Sequence, residues 1–127
     1  MLTIDYGYDA PKTGSTLQAV RAHEKVDPFL APGTADLTAL VDFDALAEAA
    51  RGQAVRVSGP VGQGPWLEAL GLAQRSAALT AAQPARSAEV AAARRRLADP
   101  AEMGELFRVL ALTAQSWPAP AGFAHEA

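Results

Sequence analysis

The stretch MLTIDYG, residues 1–7, decides the fold of this chain. Leu2, Thr3 and Ile4 favour β-structure, and Asp5-Tyr6-Gly7 is typical of a loop, so the segment predicts a buried strand that ends there. An interior strand of this kind normally lies beside another strand, because an unpaired edge invites association. We therefore expect a neighbouring strand that these residues do not supply, encoded upstream of the first residue.

The segment after this strand is predicted to be mostly loop. Residues 8–40 contain several prolines and glycines and only brief apolar stretches, which leave room for one helical turn at most. A loop of this length inside a small domain is usually functional or disordered.

Helix and strand signals alternate beyond residue 40. Asp42 precedes apolar residues at helical spacing, so it predicts the cap of an amphipathic helix. Residues 54–58 alternate between apolar and polar, which predicts a half-exposed strand that stops at Gly59-Pro60. Residues 106–113 are almost continuously apolar, which fits either a buried strand or the end of a helix.

Three further helices are predicted between those strands. One starts at Gly64-Pro65, where proline suits the first helical position, and another runs from about Pro84 to Leu97. The third starts at Asp99-Pro100-Ala101-Glu102, which resembles a capping box. The resulting order is strand, helix, strand, helices and strand. It predicts a single α/β domain of about three strands covered by helices, over residues 1–127.

Composition excludes several classes of function. The chain has no cysteine, a formal net charge of −3 and a pI near 5.3. We therefore expect no disulfide framework, no affinity for nucleic acid and a reducing cytoplasmic location. No run of eighteen apolar residues is present, so we expect no membrane span. The basic cluster of Arg86 and Arg94–Arg96 is interpreted as the solvated face of a helix.

An ordered series of particular residues runs through nearly the whole chain. It comprises Asp5-Tyr6-Gly7, Thr16-Leu17-Gln18-Ala19, His23, Asp27-Pro28, Pro32-Gly33, Asp36-Leu37-Thr38, Val41-Asp42-Phe43, Gln63-Gly64, Leu67, Leu70-Gly71, Met103-Gly104, Phe107 and Gly122-Phe123. The order and spacing resemble those of the MidA family. These are class I S-adenosylmethionine-dependent methyltransferases that include the mitochondrial arginine methyltransferase of respiratory complex I assembly.

The resemblance implies the C-terminal part of a Rossmann-like methyltransferase fold. The strand at Asp5 would be the fifth, the strand at Val55 the sixth and residues 106–113 the seventh, in the order five, seven, six with the last antiparallel. It implies S-adenosylmethionine as cofactor, held mainly by a glycine-rich loop upstream. Gly59, Gly62 and Gly64 do not form a nucleotide fingerprint, so we expect no cofactor-binding residue in this chain.

The resemblance also implies a partner and a location. The partner is a protein substrate, with a respiratory complex I subunit as the family's example. A bacterial member would be cytoplasmic, whereas eukaryotic relatives are mitochondrial.

Asp5, Tyr6 and Gly7 are the first candidate site residues. Open α/β sheets bind ligands at the carboxyl ends of their strands, where Asp5 could orient a substrate guanidinium through paired hydrogen bonds. Tyr6 and Gly7 would line the substrate position. The alternative is a structural turn, in which Asp5 caps neighbouring amides and Gly7 supplies a positive φ.

His23 and Asp27 form the second candidate group. With the family pattern, His23 is a candidate proton acceptor during methyl transfer to an arginine nitrogen, oriented by Asp27 four residues later. The alternative is a histidine that is hydrogen-bonded for structure within a loop.

Three further residues are candidates for substrate binding. Asp36 and Thr38 would shape the mouth of the long loop, and Gln63 would line the same cleft or serve a turn. The acids and the one histidine of this region lack the close spacing of a dedicated metal site, so we expect no metal.

Two functions of different classes remain open. The first is the substrate-side portion of a protein-arginine methyltransferase, inactive without its cofactor-binding half. The second is a non-catalytic interaction module that associates with itself or a partner through the exposed first strand.

Overall fold

The computed structural model describes residues 1–10 and 12–123, which form seven strands and five α-helices. A short 3-10 turn at Pro84–Arg86 separates the third and fourth helices. In chain order the elements are β1 (Leu2–Tyr8), β2 (Gln18–Arg21), β3 (Glu24–Val26), β4 (Asp36–Thr38), β5 (Val41–Asp42), α1 (Phe43–Arg51), β6 (Val55–Gly62), α2 (Gln63–Ala69), α3 (Leu72–Ala82), α4 (Ser87–Ala98), α5 (Met103–Leu106) and β7 (Phe107–Ala114).

The main sheet has the strand order β5-β1-β7-β6. Strand β7 is antiparallel to both β1 and β6, with Asp5 opposite Arg108 and Val57 opposite Leu112. The mixed α/β fold and the central, antiparallel position of the last long strand are therefore confirmed. The ambiguous apolar run 106–113 is a strand from Phe107 onward.

The central residues of strand β7 are apolar, as expected of a strand that is buried on both faces. On one face Leu110 packs with Phe43 and Ala47 of α1. On the other face Val109 and Ala111 pack with Phe123, and the partly buried Val61 and Trp66 border this cluster. Successive side chains of a strand point to opposite faces, so one apolar run serves two cores.

Strand β1 is longer than the sequence indicated. It continues through Asp5-Tyr6-Gly7 to Tyr8, where the two-residue strand β5 pairs with it in parallel. Within residues 1–10 and 12–123, no strand pairs with residues 2–6 on the side away from β7.

Most described residues of segment 8–40 are turn or irregular, as predicted, but the segment also holds strands that were not predicted. They form a second, antiparallel sheet in the order β3-β2-β4, with strands of only three or four residues. Ala22 and His23 connect β2 to β3 with φ values of 51° and 66°. Positive φ at both central residues gives the tight turn that antiparallel strands require, although neither residue is glycine or asparagine.

The other element boundaries differ from their predictions in smaller ways. Asp42 caps α1 as predicted, because its Oδ1 accepts a hydrogen bond from Ala45 N at 2.9 Å. Strand β6 passes through Gly59-Pro60 and reaches Gly62 with a shift of register after Ser58. It lies at the edge of the sheet, where proline and a bulge are tolerated. Helix α3 was not predicted.

Candidate functional site

The carboxyl end of β1 brings Tyr8 beside Asp42. Their strands pair in register, and the Tyr8 hydroxyl donates to Asp42 Oδ2 at 3.3 Å. Desolvation, followed by the charge and the hydrogen bond of Asp42, raises the pKa of Tyr8 above its ordinary value. Since Asp42 also caps α1, one carboxylate links the start of that helix to the end of the strand.

Arg108 lies beside this end of the strand and pairs with two carboxylates. Its guanidinium pairs with Asp9 at 3.2 Å and with Glu105 at 2.8 Å, and Asp5 lies opposite it in the strand register. The Arg108 side chain is 18% exposed, and its buried Nε has no partner among the described residues. The region therefore combines one held guanidinium with an excess of negative charge.

Asp5 lies within β1 rather than at its end. Its Oδ1 accepts a hydrogen bond from Tyr6 N at 2.7 Å, as the structural alternative expected, while the residue as a whole is exposed. The ring of Tyr6 packs on Phe107 with centroids 4.1 Å apart. Tyr6 therefore packs on β7 while 41% of its surface stays exposed, and its substrate-binding role stays a prediction.

Gly7 does not supply a positive φ, so that part of the structural alternative is wrong. A Cβ at this position would overlap the ring of Phe43 and lie 2.7 Å from the carbonyl oxygen of Val41. Glycine is needed here because α1 and β5 approach the strand closely.

His23 and Asp27 are not brought together. His23 is exposed in the turn between β2 and β3, and Asp27 follows the far end of β3. Four residues of extended chain span about 13 Å. The Asp27 carboxylate instead accepts a hydrogen bond from Phe29 N at 2.8 Å. The histidine–aspartate pair is not formed, and a catalytic role for either residue stays a prediction.

Asp36 and Thr38 share one face of β4. Asp36 lies opposite Val20 and Thr38 opposite Gln18, and both are exposed. This places two polar side chains on the small sheet, and their substrate-binding role stays a prediction.

Gln63 is buried at the start of α2, with 7% of its surface exposed. Its Nε2 donates to the carbonyl oxygen of Leu97, near the end of α4, at 2.8 Å. This contact supports the structural interpretation of Gln63 rather than the substrate-binding one.

Tyr8, Asp9, Glu105 and Arg108 were missed as site residues from the sequence. The prediction ended the first strand three residues too early, so it assigned Asp5-Tyr6-Gly7 to the position that Tyr8 and Asp9 occupy. The available signal for Tyr8 and Asp9 was their position directly after that motif. Arg108 and Glu105 are distant in sequence and carried no signal.

The glycine-bearing segment 59–64 does not fit S-adenosylmethionine. A Cβ on Gly62 would meet Gly104 O at 3.0 Å, and one on Gly64 would overlap the carbonyl of Ala98. These glycines allow backbone segments to pack closely together, so no open space for a nucleoside is left beside them.

Neither a metal cluster nor a membrane span is found in the described part of the chain. Those residues contain no group of three or more histidine, aspartate or glutamate side chains that could hold an ion. None of the helices they form has both the length and the apolar character needed to cross a bilayer.

Comparison with known proteins shows that the chain is similar to S-adenosylmethionine-dependent methyltransferases. Residues 1–61 match a family described as "Putative S-adenosyl-L-methionine-dependent methyltransferase". The chain is 39% identical over 113 residues to the mitochondrial protein arginine methyltransferase NDUFAF7 of Mus musculus. It is 40% identical over 114 residues to the NDUFAF7 homolog of Drosophila melanogaster. Both alignments cover 87% of this chain and 26% of the relative.

Two crystal structures of proteins from Burkholderia thailandensis have the same fold. The first matches 97% of this chain and 35% of its own with a TM-score of 0.85 and 32% identity. The second, bound to S-adenosyl-homocysteine, matches 95% and 33% with a TM-score of 0.80 and 30% identity. The predicted resemblance to the MidA-type methyltransferases is therefore confirmed. The chain spans about a quarter of the length of the curated relatives it matches.

Proposed function

We propose that this chain forms the substrate-side part of an S-adenosylmethionine-dependent protein-arginine methyltransferase. The observation that carries the proposal is the 39% identity, over 87% of the chain, to a relative named as a protein arginine methyltransferase. Residues outside this chain would hold most of the cofactor, because segment 59–64 is filled by backbone packing. The chain alone is then inactive.

We propose the carboxyl end of β1 as the position of the substrate guanidinium. A guanidinium is planar and presents five N–H donors, which match carboxylate oxygens in pairs. Asp9 and Glu105 already hold one guanidinium, that of Arg108, so this end of the sheet is chemically suited to the group. Asp5 lies three residues before Tyr8, the last residue of this strand, and is exposed; it is the carboxylate proposed to orient the substrate.

The same carboxylates are suited to accept the proton that an arginine nitrogen must lose when it is methylated. The free guanidinium has a pKa far above that of a carboxyl group, so its proton leaves only as the nitrogen bonds to the methyl group, and the acceptor has to lie beside it at that point. We propose Asp5 for this role as well. His23 stays an alternative acceptor that requires the β2–β3 turn to reach the carboxyl end of β1.

Binding of short peptides to the 127-residue chain tests the proposed site. We expect a capped arginine tripeptide to bind more tightly in isothermal titration than the same peptide with lysine or citrulline, since only guanidinium pairs with carboxylates in a fork. Asp5→Asn should weaken arginine binding about tenfold, and Glu24→Gln, which removes an exposed acid in β3, should not. Equal binding of the arginine and citrulline peptides would contradict the site.

Cofactor binding tests whether residues outside this chain hold S-adenosylmethionine. S-adenosylmethionine should not bind measurably to the chain alone, and should bind to a longer protein in which these residues follow a cofactor-binding half. Tight binding by the short chain would overturn that part of the proposal.

One observation favours the second candidate function, strand-mediated association. Residues 2–6 of β1 have no partner strand on one side within the described residues, and Leu2 and Ile4 are 52% and 41% exposed. Ile4→Lys should abolish any self-association detected by sedimentation equilibrium, because edge lysines block strand addition. A monomeric wild-type chain would remove this candidate.

Two finer predictions stay proposals. A subunit of respiratory complex I is the proposed protein substrate by analogy with the family. The relatives are named mitochondrial, and for a bacterial protein a cytoplasmic location is proposed.

A further inference from the structure

The α3–α4 hairpin, residues 72–98, carries a charge opposite to that of the rest of the chain. It contains five arginines and one glutamate, a net charge of +4, whereas the whole chain has a formal net charge of −3. The remaining residues therefore carry −7. Positive potential is concentrated on one helical unit of an otherwise acidic molecule.

This hairpin is not packed into the core. Neither α3 nor α4 contains a buried residue. The main packing partners of the two helices are each other, the 3-10 turn and the short helices α2 and α5, rather than the main sheet. Both helices thus keep apolar surface that the described residues leave uncovered.

A groove of about 340 Å³ runs between the two helices. Its apolar lining comes from Leu72, Leu79, Val90 and Leu97. Leu79 is 40% exposed and Leu97 is 38% exposed. Each lies seven residues, or about two helical turns, after another aliphatic residue of the groove on its own helix, Leu72 or Val90. That spacing is the pattern by which a third helix packs into the groove of a helix pair.

Arginines line the rim of the groove. Arg86 pairs with Glu89 at 2.5 Å, and Arg94 pairs with Glu68 at 2.8 Å. The hydrogen bond and charge of Arg86 lower the pKa of Glu89, which keeps that carboxylate ionised. Arg75 also lines the groove and has no carboxylate partner among the described residues. The rim therefore retains positive charge after its own acids are counted.

We propose that this groove docks an acidic amphipathic helix of a partner protein. The leucines of the hairpin would receive apolar side chains spaced at i, i+3 or i+4, and i+7, while aspartates or glutamates flanking them meet Arg75, Arg86 and Arg94. Helix α3 has 11 residues, which at about 1.5 Å each gives a groove about 16 Å long, enough for three turns of a bound helix. The proposal does not depend on the proposed enzymatic function.

A helix fits this surface better than an anionic membrane does. The apolar groups line a concavity rather than a flat or convex face, and a membrane-binding helix buries a continuous apolar stripe in the interface. The acidic remainder of the chain would also be repelled by anionic lipid.

Designed peptides test the docking surface with the intact 127-residue chain. A fluorescein-labelled amphipathic helix with leucines at i, i+3, i+7 and i+10 and flanking glutamates should bind in fluorescence anisotropy. A version with lysines in place of the glutamates, and another with alanines in place of the leucines, should each bind at least about tenfold more weakly. Affinity should fall as salt rises from 50 to about 300 mM, since rim charges are screened.

Two variants measure separately what the charged rim and the apolar groove contribute to peptide affinity. Arg75→Glu and Leu79→Ser should each weaken binding of the glutamate peptide about tenfold, because one reverses a rim charge and the other removes an apolar contact. Arg51→Glu reverses an exposed charge on α1, outside the hairpin, and should change the affinity less than twofold. Circular dichroism checks that each variant retains its helix content. If Leu79→Ser unfolds the chain, the surface change Arg75→Glu still tests the proposal.

Several outcomes would overturn the proposal. They are absence of binding to the glutamate peptide, equal binding to the lysine peptide, and equal weakening by Arg51→Glu and Arg75→Glu. Binding to phosphatidylserine vesicles without binding to the peptide would assign the hairpin to a lipid surface instead.

Discussion

Gly7 lies directly under the ring of Phe43, the residue that opens α1 and is fully buried in the core. A methyl group on Gly7 would also lie 2.7 Å from the carbonyl oxygen of Val41, in the strand β5 that pairs with β1. Because Gly7 has no side chain, α1 and the edge strand β5 can both pack against β1 at the proposed site.

Gly7→Ala should destabilise the chain. The added methyl group overlaps a buried ring and a backbone oxygen that cannot both move, so we expect a loss of about 1–3 kcal/mol in the free energy of unfolding. Urea denaturation followed by circular dichroism measures it.

The matched control is Gly52→Ala. Gly52 has φ −73°, and its nearest neighbour to an added Cβ is 4.0 Å away. This change should be neutral or stabilising by up to about 1 kcal/mol, because alanine restricts the unfolded chain. Equal destabilisation by both changes would show that space at Gly7 is not the cause.

Tyr8 should ionise at a higher pH than an ordinary tyrosine, and the Asp42 carboxylate should be part of the reason. Desolvation is the larger cause of the raised pKa, followed by the charge of Asp42 and its hydrogen bond. Asp42→Asn removes the charge and keeps one oxygen, which can cap the helix at Ala45 N while the amide NH2 faces the Tyr8 hydroxyl. It should therefore lower the pKa of Tyr8 without restoring the ordinary value. Absorbance of tyrosinate near 295 nm, with Tyr8→Phe as the blank, measures the pKa.

The sign of the linked stability effect follows from the raised pKa. A proton held more tightly in the folded state stabilises it fully below the unfolded pKa of about 10, and this contribution is lost as pH rises through the folded pKa. Wild type should therefore lose stability above pH 10 in a way that Tyr8→Phe does not. Identical pH profiles would contradict the assigned Tyr8–Asp42 contact.

Much of the fold could be predicted because long apolar signals and family motifs agreed. The central position of β7 followed from the resemblance, and the apolar residues at its centre are explained by burial on both faces. The small sheet could not be predicted, since its strands have three or four residues and its turn at Ala22-His23 lacks the usual turn residues. Short strands bury too little apolar area to leave a periodic pattern.

The candidate site was less predictable than the fold. Strand ends are uncertain by a few residues from sequence, and an error of three moved the assignment from Tyr8 and Asp9 to Asp5. Gly7 shows a second limit, because a glycine that provides space and a glycine that provides a positive φ look alike in sequence. Arg108 lies at the site because β7 pairs with β1, which is distant in sequence, and only the structure shows this pairing.

Gln63 should prove structural. Its buried amide supplies the hydrogen bond to the Leu97 carbonyl, so Gln63→Met should leave that oxygen unpaired and cost about 1–3 kcal/mol of stability. The exposed Gln74 on α3 provides the control, and Gln74→Met should change stability by less than about 0.5 kcal/mol.

Peptide binding separates the two interpretations of Gln63. A structural residue leaves the affinity of the folded Gln63→Met chain for an arginine peptide unchanged. A drop in that affinity without a loss of stability would restore the substrate-binding interpretation.

Arg108 should contribute more to stability than the exposed arginines do. Its side chain is 18% exposed and pairs with two carboxylates, Asp9 and Glu105, whose side chains are 29% and 46% exposed. Arg108→Met leaves two acids without their partner, so we expect a loss of about 2 kcal/mol, between the values typical of surface pairs and of fully buried ones.

The comparison variant for this ion-pair cluster is Arg51→Met. Arg51 pairs with Glu48 on the surface of α1, where the two side chains are 53% and 70% exposed, so its loss should cost less than about 0.5 kcal/mol. Raising the salt concentration to 1 M should remove the small effect at Arg51 and leave most of the effect at Arg108, because buried pairs are screened less. If both variants lose the same stability and respond alike to salt, Arg108 is an ordinary surface arginine, and the carboxylates around it are not preorganised for a second guanidinium.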